Sequence, residues 1–260
     1  AMTSRLYDLA LVFGLFVAAS GCGLWLLDRA RLRAGGRIQQ VCFATGLGLG
    51  LLGYVTFSLG MMSLLRQSFI AGAYVIVLFL GLRGWYSFLG LYPLDWNKPL
   101  AFFCQASRMT KALCIFVGLM AGINGLAALS PVIGVDELIY RLAAAKLYLR
   151  HESLFYIPSM FLHQQPQHVQ MVQLWGMSLG SHSTAQVVQW GVGLCSLVVL
   201  IDYGRREMPV AWAVLGGALF YSYSDVIVLS GRGSPDLANA FFMILALLAW
   251  LQWLDTGSGR

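Results

Sequence analysis

Residues 41–64 read VCFATGLGLGLLGYVTFSLGMMSL, without one charged side chain from end to end. A bilayer's hydrocarbon core is about 30 Å thick, and a helix rising 1.5 Å per residue needs roughly 20 apolar residues to cross it. This stretch is long enough and apolar enough. Its repeated glycines, from Gly46 to Gly53, would also suit a phosphate-binding loop. No Lys-Ser/Thr pair follows them, however, and small residues at helical spacing let helix backbones approach closely in lipid. The reading is a transmembrane helix with a packing face.

Six further segments have the same character, near residues 6–27, 68–90, 112–131, 184–201, 210–229 and 237–254. Of the 260 residues, 58% are hydrophobic and only 11% charged. The mean hydropathy is +0.72. A soluble domain carries about 25% charged residues, so too few polar side chains remain here to cover a water-facing surface. The expected fold is all-α, a polytopic bundle of about seven spans. The Ala19-Ser20-Gly21-Cys22 stretch is faintly like a lipoprotein cleavage box, but apolar residues run on through Leu27, which favours a retained span.

The net charge of +6 comes from basic residues split among short loops, with no aromatic-interleaved stripe, so a nucleic-acid partner is excluded. Placing the first loop inside puts eleven of the 17 Lys and Arg residues in inner loops: Arg29, Arg31, Arg33, Arg37, Arg83, Lys98, Arg108, Lys111, Arg205, Arg206 and Arg260. Arg5, Arg66, Arg141, Lys146, Arg150 and Arg232 are left outside. By the positive-inside rule the N-terminus lies outside. The five cysteines show no metal-type spacing and fall in spans or inner loops, which argues against a zinc site or a structural disulfide.

One connection is too long to be a simple loop, the outer segment 131–183. Within it, residues 136–150 place Leu138, Leu142 and Leu149 near one helical face and Arg141, Lys146 and Arg150 on others. Residues 167–179 repeat the pattern with Val169, Val172 and Trp175. Both read as amphipathic helices lying in the interface. Asp136 and Glu137 open the first of these, and Asp236 follows Ser234-Pro235 just before the last span. Each acidic position suits a helix start. Carboxylates from two distant loops on one face also suit a base, or a site for a divalent metal held by Asp136 and Glu137. Arg141, Lys146 and Arg232 share that face and could grip a phosphate. His151, His163, His168 and His182 are scattered along the loop without an acidic partner. Arg83, Asn124 and Asp225 are the polar groups expected inside the membrane, where an ionisable residue is costly.

These residues resemble a family. Pro131-x4-Asp136-Glu137-x2-Tyr140-x-Leu142-x3-Lys146-Leu147-Tyr148-x2-His151 is similar to the first-loop motif of GT-C membrane glycosyltransferases, in the branch of the protein O-mannosyltransferases and the lipid A aminoarabinose transferase. Gln165-Pro166-x3-Gln170-Met171 resembles that loop's second surface helix. Ser234-Pro235-Asp236-Leu237-Ala238-x-Ala240-Phe241-Phe242 resembles the second acidic loop. The chain has Arg141 where many members have His, and Gln170 where many have Glu. The resemblance implies transfer of a sugar from a polyprenyl-phosphate donor to an extracytoplasmic acceptor, with inversion at the anomeric carbon, in a bacterial inner membrane. Asp136 would be the base, Glu137 its assistant or a metal ligand, and Asp236 the second carboxylate. It also implies a three-span module over 1–111, followed by a core portion over 112–260 that corresponds to part of a longer enzyme. The competing reading is a membrane protein without catalysis: a lipid-carrier-binding partner, a silent homologue or a small transporter. A transporter would show internal repeats, and none is present.

Overall fold

The computed structural model describes residues 2–93, 103–160 and 167–257, and the described residues hold helices and connections without a strand. Lys98, His163, Gln165, Pro166 and Arg260 lie outside the described residues. Four long helices come first: α1 Met2–Arg29, α2 Arg37–Met61, α3 Gln67–Leu91 and α4 Arg108–Ala128. A π-helical turn, Glu137–Arg141, leads into α5 Leu142–His151, and α6 spans His168–Leu179. Then come α7 Ser183–Glu207, α8 Val210–Ser222, α9 Ser224–Ser230 and α10 Asp236–Thr256. Six helices are long and apolar enough to cross a membrane; α8 and α9, bent 68° apart at Tyr223, make a seventh crossing if taken together. The fold is that of an integral membrane protein, and its outer surface agrees. Phe13, Phe79, Leu126 and Met243 are each at least 70% exposed, which in water would form an apolar surface of a size monomers avoid.

The glycines of 46–53 work as packing positions. A Cβ on Gly48 would sit 1.8 Å from the Ala19 carbonyl oxygen, and one on Gly23 would sit 1.9 Å from that of Ala44, so α1 and α2 touch through their backbones. Gly21 and Gly84 bring α1 and α3 together in the same way. Core residues from both ends of the sequence interdigitate, with Val12, Leu15 and Leu49 joining Trp175, Val188 and Phe241 in one cluster. The module 1–111 and the rest of the chain therefore share a core rather than meeting at a polar seam.

Contacts between distant residues fix the two ends of the bundle. The Ser181 amide donates to Asp8 at 3.0 Å, and the Ser183 hydroxyl donates to the Ser130 carbonyl at 3.0 Å, so the start of α1, the end of α4 and the start of α7 lie together. At the other end the Gln252 amide donates to Gln39 at 2.6 Å, joining α10 to α2. The long helices alternate in direction between these ends. Arg29, Arg37, Arg205 and Arg206 sit at helix termini of one end, and Arg5, Arg141 and Arg232 at the other.

The two short helices form where expected, and neither is long enough to cross, since twelve residues rise only about 18 Å. Their faces differ from the expectation. The π turn takes more residues per turn than an α-helix, which shifts the register. Leu138 is therefore 59% exposed while Leu142 is buried. Helix α6 does not lie on a lipid surface, because every residue from Val169 to Met177 is buried in the protein. Its Trp175 indole donates to the Thr56 hydroxyl on α2. The polar side of α6, with Gln170 and Gln173, is buried against the rest of the chain.

Candidate functional site

The π turn and the 231–236 loop meet at the Asp8–Ser181 end of the bundle, through contacts made by side chains of α6 and α7. The Gln173 amide of α6 donates to the Gly233 carbonyl at 2.9 Å, and the Gln186 amide of α7 donates to the Gly231 carbonyl at 3.0 Å. Both glutamines are buried, so each bond replaces water that cannot reach the carbonyl. The loop is held against α5, where a Cβ on Gly233 would already press on Leu142 at 3.2 Å.

On this scaffold Arg141 lies beside Asp236. Its Nη2 is 3.8 Å from Asp236 Oδ2, its Nε donates to the Tyr140 hydroxyl at 3.2 Å, and its guanidinium lies over the Tyr140 ring. The Arg141 side chain is only 10% exposed while that of Asp236 is 53% exposed. Arg141 Nη1 is buried with no hydrogen-bond partner. Ser234 donates its hydroxyl to the same Asp236 oxygen that faces Arg141. A buried guanidinium with one donor group unused is prepared for an anion, because leaving it unpaired costs free energy that a bound oxygen would return.

Glu137 is the second unusual group. It is 1% exposed, and neither carboxylate oxygen has a hydrogen bond of good geometry. Burial pushes its pKa above the ordinary carboxylate range. Arg232 opposes this, followed by the Gly233 amide and Arg141, while Asp136 reinforces it. The Gly233 amide favours the charged form without being aligned well enough to satisfy it. Gly134 supplies the room: a Cβ there would fall 1.5 Å from Glu137 Oε2. Asp136, one residue earlier, is exposed.

Five of the residues singled out from sequence are thus brought together: Asp136, Glu137, Arg141, Arg232 and Asp236. Lys146 does not join them. It is exposed and faces His182, whose pKa is lowered by partial desolvation and then by the Lys146 ammonium. The described histidines are dispersed: His151 packs edge-to-face with Phe155, while His168 packs edge-on to Phe242 in the space that Gly53 leaves open. Burial lowers the pKa of His168. No three metal-ligating side chains converge among the described residues. Glu137 is buried with Arg232 and Arg141 acting on it, while Asp136 is exposed.

Several important polar residues were missed in the sequence. Asp8 and Asp202 are 2% and 1% exposed within long helices, whereas Arg83 and Asp225, taken from the sequence as intramembrane groups, are exposed on the outside of the bundle. Asn124 is buried as expected. Gln173 and Gln186, which hold the second acidic loop, carry a weak signal that went unused. With Gln170 and Gln189 they form two i, i+3 pairs of amides in otherwise apolar helices.

No protein-family model, curated protein or solved structure matches the chain.

Proposed function

We propose that the chain is a membrane glycosyltransferase acting on a polyprenyl-phosphate-linked sugar, with the Asp136, Arg141 and Asp236 cluster as its site. The observation that supports this most is the buried, incompletely satisfied Arg141 guanidinium beside the exposed Asp236 carboxylate. Inverting transfer needs a base for the acceptor hydroxyl and positive charge for the departing phosphate. In this reading Asp136 takes the acceptor proton as the acceptor oxygen attacks the anomeric carbon. The bond from that carbon to the phosphate oxygen breaks on the opposite side, and the polyprenyl phosphate leaves with the electron pair. Arg141 and Arg232 receive that charge, and Asp236 keeps Arg141 oriented. Glu137, held toward its neutral form, spares the phosphate a further negative neighbour. Arginine serves as the counter-charge.

Replacing Asp136 by Asn keeps the size and removes the basicity. Loss of a general base costs about 10²–10⁴ in rate. The expected result is transfer from a labelled polyprenyl-phosphate donor reduced by that factor, with donor binding retained. Wild-type turnover in the variant removes Asp136 as the base. If binding is retained but the unaltered protein shows no transfer to any acceptor, the cluster is instead a lipid-carrier site without catalysis.

The proposed setting is a bacterial inner membrane, with the acidic end outside. The basic residues gathered at the opposite end support this orientation. In intact cells a cysteine placed at exposed Ser159 should react with a membrane-impermeant thiol reagent, and one at exposed Ala30 should not. The reverse pattern would place the site in the cytoplasm.

A further inference from the structure

We infer that the arginine-rich end of the bundle holds one anionic phospholipid, in a two-part site separate from the acidic cluster. The first part is a polar pocket of about 250 Å³ between the ends of α1 and α3, lined by Asp28, Arg31, Arg33, Gln40 and Ser87. The second is an apolar groove of about 560 Å³ lined by Ile38, Trp85, Leu194 and Val198. Phe88 and Tyr92 line both spaces, so pocket and groove adjoin. Arg37 stands at the junction, its guanidinium 5.0 Å from the centre of the Tyr92 ring.

This shape has the polarity of an amphiphile. The groove opens between α2, α3 and α7, three helices that pass for membrane spans, so a tail lying in it stays in hydrocarbon. The pocket lies at the helix ends, where headgroups sit. Basic pockets between spans on one side of a membrane attract anionic headgroups. Three arginines against one aspartate leave a net positive site, and among the described residues no ion pair occupies Arg31, Arg33 or Arg37. Arg31 gives a second indication. It closes α1 in the left-handed conformation, φ 55, with the Leu32 amide bonded back to the Leu27 carbonyl. Glycine is the usual residue at such a helix end. An arginine here sacrifices backbone comfort to put a cation in the pocket. Gln40 fixes the same turn by accepting from the Ala34 amide.

The test counts lipids on the purified full chain in mild detergent by native mass spectrometry, offering phosphatidylglycerol or phosphatidylcholine separately. The expected result is one retained phosphatidylglycerol and at least tenfold weaker retention of phosphatidylcholine. Arg31→Gly with Arg33→Ala should lower phosphatidylglycerol retention tenfold or more without lowering the melting temperature, because glycine suits the left-handed position. Arg31→Lys with Arg33→Lys should keep most of it. Val198→Trp, at a partly exposed groove position, should remove lipid while leaving the arginines intact. Millimolar glycerol phosphate should fail to displace the lipid, since it lacks the tails. Equal retention of both lipids, unchanged retention in the Gly/Ala variant, or displacement by glycerol phosphate would overturn the assignment.

Discussion

Two carboxylates in this molecule are equally buried and differently served. Asp202, near the basic end of α7, is 1% exposed, and both of its oxygens are used. Arg205 pairs with one, and Arg206 pairs with the other at 2.8 Å. The same Arg206 packs against Gly35 and Gly36, where any Cβ would collide with it, so the carboxylate also fixes the loop between α1 and α2. Glu137, at the opposite end, is 1% exposed too, yet neither of its oxygens is bonded, and its neighbour Arg141 keeps one donor unused. A buried charge that is fully paired within its own helix is a structural fastener. A buried acid and a buried arginine left short of partners, between two loops held in place by amides from elsewhere, form a site waiting for something. Asp202 spends its charge internally, and Glu137 does not.

The sharpest way to break this contrast is at Asp202. Removing one partner of a buried pair costs about 3–5 kcal/mol when the other charge stays buried. Arg205 and Arg206 are 49% and 31% exposed and can turn to water, so a loss near the lower end of that range is expected for Asp202→Ala. Thermal unfolding in detergent checks it, and limited proteolysis near Gly35 should quicken in parallel. A variant as stable as the parent would deny Asp202 its fastening role.

Glu137 should behave in the opposite sense, with a smaller effect. Its pKa in the fold lies above the ordinary 4.5. An acid with a raised pKa binds its proton more tightly folded than unfolded. It therefore costs nothing when protonated in both states, and destabilises progressively as pH rises from about 4.5 through the folded pKa. Glu137→Gln should leave stability unchanged at acid pH and raise it at neutral pH by on the order of 1 kcal/mol, since each unit of raised pKa corresponds to about 1.4 kcal/mol. Melting temperatures across that range read the difference. A loss of stability at neutral pH would mean that the ionised carboxylate is well served after all.

The membrane spans were legible because length and apolarity alone define them, and the observed helices bracket most of the expected segments within a turn. The break at Tyr223 was not legible, since Ser222-Tyr223-Ser224 contains neither Pro nor Gly. The π turn was equally hidden, and it moved Leu138 off the face its spacing assigned. For α6, periodicity correctly found a helix with an apolar stripe, yet a pattern cannot say whether the polar stripe meets water or protein. Here Gln173 meets the backbone of a loop sixty residues away. The carboxylates and arginines of the candidate site were found because charges are rare in this chain and stand out. Lys146 looked similar in sequence, and its charge acts on His182.

Everything proposed for the acidic end depends on Arg141 holding an anion. A bond from a charged donor contributes about 1.5–3 kcal/mol, which is roughly 10- to 100-fold in affinity. The direct measurement is binding of a polyprenyl phosphate to the purified chain, compared between the parent and Arg141→Gln, at a pH where stability is unchanged. Affinity lower by that factor, with a neutral polyprenol bound equally by both proteins, is the expected result. Equal affinity for the phosphate in both proteins would contradict the account and reduce the Arg141–Asp236 contact to one more fastener.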